Sequence, residues 1–242
     1  MKTSAAIWIA SSCALLAGAA DAAECRDLRF EDTPFTVCQA DPTTDDIRLF
    51  LSDDTGKPLG TFENAEASLD GRSLAWAMNA GMYHPDRRPV GLYIEDGREV
   101  AGIVTRAGPG NFGLLPNGVL CLTAAAAHVI EARQFAASDP DCRYATQSGP
   151  MLVIDGRLHP RFLPRSDSRF VRNGVGVTED GSLIAAISTR PVNFHRFARF
   201  FRDVLITPNA LFLDGKVSRL YAPGLDRHDL GSPMGPMLCV VE

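Results

Sequence analysis

The sequence predicts a β-rich α+β fold, a single domain of mixed sheets with a few helices. Three observations lead there. Short apolar runs bounded by turn residues dominate the chain, which is the pattern of strands. Three of these runs contain Asp-Gly between strand-like flanks, at Asp96-Gly97, Asp155-Gly156 and Asp180-Gly181, and Asp-Gly suits the left-handed backbone of tight hairpin turns. Strand-like segments do not alternate with long helical ones, so a doubly wound parallel sheet is not expected.

Taken in order, the first 22 residues stand apart. Lys2 gives a positive start, Ala5 to Ala20 is apolar but short for a membrane span, and Ala20-Asp21-Ala22 offers small residues for signal peptidase. A secretory signal peptide cut after Ala22 is expected, with one domain over 23–242. No later stretch approaches the roughly 18 uninterrupted apolar residues of a membrane helix, so no membrane insertion is expected after cleavage. Export implies an oxidising compartment, periplasmic or secreted, and five cysteines remain: Cys25, Cys38, Cys121, Cys142 and Cys239. The short separations pair Cys25 with Cys38 and Cys121 with Cys142. Cys239 lies inside apolar PMLCVV and reads as a buried small hydrophobe. The net charge of −5 without a basic run argues against nucleic acid as a partner. No metal-ligand spacing appears, and neither a metal nor a cofactor is expected.

The strand-like runs are DIRLFLSDDTG, SLAWAMNAG, VGLYIEDGREVAGIV, NGVLCLT, AHVIEA, PMLVIDGRL, NGVGVTEDGSLIAAIS, ALFLDGK and PMLCVV. One segment has another period. In NFHRFARFFRDVL, Phe194, Phe197, Ala198, Phe201, Val204 and Leu205 recur at helical spacing, with Asn193 as N-cap and Arg196, Arg199 and Arg202 opposite. A shorter helix is expected from Glu63 to Leu69.

Candidate chemistry sits where polar residues meet the ends of these runs. Asp214 follows LFL and precedes Gly215. It is either a fourth turn aspartate or a carboxylate held at a strand end, where side chains are positioned more firmly than on free loops. Asn79 and Gly81 follow AWAM, Gln147, Ser148 and Gly149 precede PMLV, Arg172 precedes NGVGV, and Asn111 and Asn117 flank GLLP. Singly, each has an ordinary reading as turn or surface.

As a set, NAGMY, PVGLYIEDG, NFGLLPNGV, QSGPMLV, VRNGVGV and NALFLDGKVS resemble the phosphodiester glycosidase family, over roughly residues 70 to 242. This is the family of the enzyme that removes N-acetylglucosamine from a phosphodiester to expose mannose 6-phosphate. The layout is similar to its stand-alone exported bacterial members. The resemblance implies a β-rich α/β fold and a hydrolase of carbohydrate metabolism that cleaves a sugar C1–O bond with a phosphate monoester leaving. It carries over Asp214, Arg172 and Asn79 as catalytic residues. Gly81, Ser148, Gly149, Gly215 and Ser218 follow as substrate-binding residues. One departure is visible: the family often shows a second glycine after LDG, and Lys216 stands there, which narrows the site or adds charge to it.

The chemistry is consistent with that set. An alkyl glycoside needs a paired acid and base or nucleophile, because its leaving oxygen must be protonated. A phosphate leaves as a stable anion, so one carboxylate at the anomeric carbon and a cation or fixed dipoles at the phosphate suffice. Asp214 suits the first task, as nucleophile or as base for water. Arg172 suits the second, since a guanidinium grips two phosphate oxygens. Asn79 and Ser148, with nearby backbone N–H groups, suit sugar hydroxyls or phosphate oxygens. Two other classes compete. One is a Ser-dependent hydrolase with Ser148 as nucleophile and a base among His84, His128, His159, His195 and His228, although QSGP lacks the Gly-x-Ser-x-Gly elbow. The other is a non-catalytic envelope module that binds glycans.

Overall fold

The computed structural model describes residues 23–242. The expected signal segment lies outside them. The chain runs through β1 (Glu24–Phe30), β2 (Thr33–Ala40), β3 (Asp46–Phe50), α1 (Phe62–Ala67) and β4 (Leu74–Asn79). Then come β5 (Tyr93–Glu95), β6 (Arg98–Ala101), β7 (Gly118–Leu122), β8 (Ala127–Glu131), α2 (Ala132–Ser138) and β9 (Tyr144–Ser148). There follow β10 (Met151–Ile154), β11 (Arg157–Leu158), β12 (Asn173–Val177), β13 (Leu183–Ser188) and α3 (Phe194–Arg199). The chain closes with β14 (Asn209–Asp214), β15 (Leu220–Ala222), β16 (Arg227–His228) and β17 (Met237–Val241).

These strands form three antiparallel sheets. A seven-stranded sheet has the order β1-β2-β13-β12-β14-β10-β11; the five-stranded sheets are β16-β15-β4-β17-β3 and β6-β5-β9-β7-β8. Period-2 alternation explains how they stack. In β14, Leu211 and Leu213 point into a central core shared with Trp76, Leu238, Leu120 and Tyr93 of the other two sheets. Ala210 and Phe212 point the other way, onto Phe197, Phe200 and Phe201. Each five-stranded sheet likewise covers its outer face with one short helix. Phe62 and Ala65 of α1 meet Leu74, Met237 and Cys239. Phe135 of α2 meets Val119, Cys121 and Ala145. The fold is β-rich α+β, as the short apolar runs require.

The Asp-Gly pairs behave as turn chemistry predicts at two sites. Asp96 and Gly97 (φ 48° and 76°) join β5 to β6, and Asp155 and Gly156 (φ 46° and 73°) join β10 to β11. The two disulfides form as the spacing predicts, Cys25–Cys38 across paired strands and Cys121–Cys142, with Cys239 buried and free.

Several elements differ from expectation. β1 escapes a search for apolar runs because it is a charged, exposed edge, ECRDLRF, and its partner β2, TPFTVCQA, is buried but interrupted by polar residues. α2 escapes because its N-cap is Glu131, whose carboxylate accepts from the Arg133 and Gln134 N–H groups, a residue type rare at that position. The long helix starts at Asn193 as expected, whose side chain accepts from Arg196 N–H, but after Arg199 it widens into a π turn over Phe200–Val204. The wider turn advances the phase. Phe200 is drawn into the core and Val204 turns outward, 39% exposed.

Candidate functional site

β4, β9 and β14 end, and β12 and β17 begin, at one edge of the molecule: Asn173 pairs with Asp214 and Met237 with Asn79. Asp214 is the first polar residue after the buried run from Ala210 to Leu213. Neither Asp214 nor Gly215 has a left-handed backbone, so this Asp-Gly is unlike those at 96 and 155. Its Oδ1 accepts the N–H groups of Gly215 (2.5 Å) and Lys216 (2.7 Å), closing an Asx turn. Oδ2 accepts no hydrogen bond among the described residues.

Beneath it lies a closed set of amide bonds. The Asn173 side chain donates to the Asn79 backbone oxygen and to its Oδ1, at 3.0 Å each. Asn173 Oδ1 accepts the Asp214 backbone N–H at 3.0 Å, and Asn79 Oδ1 accepts that of Arg219 at 2.8 Å. Ser218 Oγ donates to Asp214 C=O at 2.7 Å. Asn79 and Asn173 are fully buried. They fasten the strand ends that carry Asp214 and do not face solvent. Asn173, which sequence reasoning missed, is adjacent to Arg172 in VRNGVGV; its role depends on a strand pairing that the motif does not reveal.

Arg172 is also fully buried, without a carboxylate partner among the described residues. Nε donates to Val192 C=O (2.9 Å) and Nη2 to Ser168 C=O (3.1 Å), while Nη1 has no partner among the described residues. The guanidinium lies 3.6 Å from the Phe194 ring centroid and 5.3 Å from that of Phe212. Burial lowers its pKa to about 10, which leaves it charged at neutral pH. A Cβ built on Gly215 would stand 3.6 Å from Nη1. The bare glycine is therefore what separates this unpaired donor from the cleft.

That cleft is a cavity of 610 Å³ walled by Tyr83, Arg87, Phe170, Asp214, Gly215 and Lys216, with Asn111 and His84 also contributing. Asp214 is the one carboxylate among its described lining residues, against the cations Arg87 and Lys216. The Tyr83 ring is backed closely by Gly235, where a Cβ would fall 2.5 Å from Cγ. Partial burial and the Asp214 charge together raise the Tyr83 pKa above the usual phenol value. No group of three His, Cys, Asp or Glu residues among the described residues could hold a metal ion.

The remaining sequence candidates are packed beneath the cleft and do not line it. Ser148 Oγ donates to Leu213 C=O at 2.8 Å, and among the described residues no histidine shares a hydrogen bond with it. Gly81 leaves room for Gln147 C=O and Thr146 Oγ1, each 2.5 Å from a Cβ built there, and Gly149 for Asn117 Cβ at 2.6 Å. Asn117 donates to Phe112 C=O, and Gln147 holds the Leu92 and Val104 backbones. Tyr83 belongs to the NAGMY motif, so a signal existed; Arg87 and Phe170 come from loops with none.

Comparison with known proteins agrees in family and fold. The family model described as phosphodiester glycosidase matches residues 72–235. The uncharacterized protein YigE of Escherichia coli K12 is 31% identical over 211 residues, 87% of this chain and 82% of that protein. The zebrafish N-acetylglucosamine-1-phosphodiester α-N-acetylglucosaminidase catalytic domain, auto-inhibited by its pro-peptide, shares the fold at TM-score 0.63 and 14% identity. The alignment covers 90% of this chain and 81% of that one. A putative exported protein of Burkholderia pseudomallei superposes at TM-score 0.54 and 14% identity, covering 86% and 74% of the two chains.

Proposed function

The chain belongs to the phosphodiester glycosidase family, and from that membership we propose that it hydrolyses the glycosidic C1–O bond of a sugar-1-phosphodiester. Water adds its hydroxyl to C1, and the bridging oxygen departs on phosphorus, giving free sugar and a phosphomonoester. One observation carries the reading: among its described lining residues the cleft has a single carboxylate, Asp214, with one oxygen unbonded, beside two cations, Arg87 and Lys216. That composition lacks the acid–base pair an alkyl glycoside demands, and suits a leaving group already stable as an anion.

In this mechanism Asp214 Oδ2 faces C1, as nucleophile or as base for water. The two turn N–H groups on Oδ1 and the Asn173 bond to the Asp214 backbone hold the carboxylate in one orientation. Orientation of this kind lowers the barrier by removing rotational freedom before reaction. Arg172 supplies a fixed positive charge behind Gly215, with its unpaired Nη1 buried against that glycine. Asn79 acts as a positioning residue through Asn173. The protein would work outside the cytoplasm, a location favoured by its two disulfides.

Incubation of the purified protein with a panel of sugar-1-phosphodiesters tests the proposal. Free reducing sugar and phosphomonoester should appear in equal amounts. Release of sugar 1-phosphate with a free alcohol would mean P–O cleavage, and tight binding with no product would mean a glycan-binding module; either contradicts the proposal.

A further inference from the structure

The loop from Tyr83 to Pro89 carries a backbone feature that packing alone does not require. Tyr83 and Pro89 form an isolated bridge, His84 N–H donates to Arg88 C=O, and Arg87 N–H donates to His84 C=O, each at 2.8 Å. The result is a tight turn with Pro85 in its second position, closed by Arg87 at φ +73°. Glycine is the usual residue in that left-handed closing position of a bulged hairpin turn. An arginine there is strained, and strained residues concentrate where a side chain is needed in one place.

The side chain of Arg87 lines the cleft. Its guanidinium stands 5.6 Å over the Tyr83 ring, and Nη1 donates to Pro85 C=O at 3.0 Å. The carboxylate in the same turn is not spent on it: Asp86 pairs with Arg88 at 2.7 Å. Lys216, two residues beyond Asp214, lines the same cleft and also lacks an ion pair among the described residues. If Arg172 answers the single charge of the diester, Arg87 and Lys216 face only the Asp214 carboxylate, and the cleft keeps a net positive charge.

We infer that Arg87 and Lys216 hold a second anionic group of the substrate, a further phosphate or a carboxylate beyond the diester phosphate. This rests on the phosphodiester hydrolysis proposed above. A planar guanidinium and a mobile ammonium bind such a group by charge-assisted hydrogen bonds, and the strain at Arg87 is the cost of aiming the first of them.

The test uses two substrates with one sugar and one alcohol, the second bearing a terminal phosphate on the alcohol. They are measured with the parent protein, Arg87→Gly and Lys216→Gly, for kcat, KM and calorimetric Kd. The parent should favour the phosphorylated substrate by about tenfold or more in kcat/KM, the scale of one charge-assisted bond. Each variant should raise KM for that substrate severalfold more than for its partner. Arg87→Gly should melt no lower than the parent, because glycine relieves the turn. Equal preference in the parent, equal losses on both substrates, or a lower melting temperature for Arg87→Gly overturns the inference. If neither substrate is cleaved but the phosphorylated one binds more tightly to the parent than to Arg87→Gly, the hydrolysis reading fails and this one stands.

Discussion

Asn173 holds Asn79 through two hydrogen bonds from one Nδ2 group, at 3.0 Å each, across 94 positions of chain. With its other end Asn173 accepts the Asp214 N–H. One buried amide thus joins two sheets at the point where the candidate carboxylate leaves its strand.

Asn173→Ala should therefore be costly. It leaves the Asn79 side chain and the Asp214 N–H short of partners in a buried place, and each such group costs about 1–3 kcal/mol. A loss of roughly 3 kcal/mol is expected in urea unfolding, with turnover reduced even well below the melting temperature. A variant as stable as the parent would show that the amide bonds do not hold the site.

The disulfides and Cys239 make a separate prediction. Removing Cys121–Cys142 should lower stability by about 2–4 kcal/mol, the scale expected for a loop of that size. Cys239 is fully buried, and burial pushes its thiol well above the usual range. Iodoacetamide should leave it unmodified in the native protein and label it in denaturant. Rapid labelling of the native protein would contradict the packing described here.

Much of the fold was legible in the sequence. Hairpins show themselves locally, since alternation and Asp-Gly chemistry act within a few residues, as at 93–101 and 151–158. β1 and α2 were hidden by local exceptions, a charged edge strand and a glutamate cap. The site was legible only in part. Asp214 and Arg172 stand in ordered motifs, but the contact of Asn79 with Asn173 depends on which sheet each strand joins, and no short stretch encodes sheet order. Arg87 and Phe170 reach the cleft from loops, where residue type follows no period.

Gly215→Ala probes Arg172 without touching it. The added Cβ would lie 3.3 Å from Phe212 Cζ, so that ring must shift slightly, and 3.6 Å from Arg172 Nη1, and the backbone there is not left-handed. The fold should persist, with stability within about 1 kcal/mol of the parent. The methyl would hold a phosphate farther from the Arg172 guanidinium, so KM for a phosphodiester should rise severalfold. Unchanged KM in the folded variant would return Arg172 to a purely structural role, tying the Ser168 and Val192 carbonyls together.

The central claim is that Asp214 acts by its charge and not merely by shaping a turn. Asp214→Asn separates the two, because an amide oxygen can still accept the Gly215 and Lys216 N–H groups that now bond Oδ1. The variant should match the parent in thermal unfolding. The decisive measurement is the rate of sugar release from a sugar-1-phosphodiester by folded Asp214→Asn. A fall of about 10² or more is predicted, the usual consequence of losing a catalytic base or nucleophile. Retention of more than about a tenth of the parental rate, against that expectation, would make Asp214 a turn residue and contradict the mechanism.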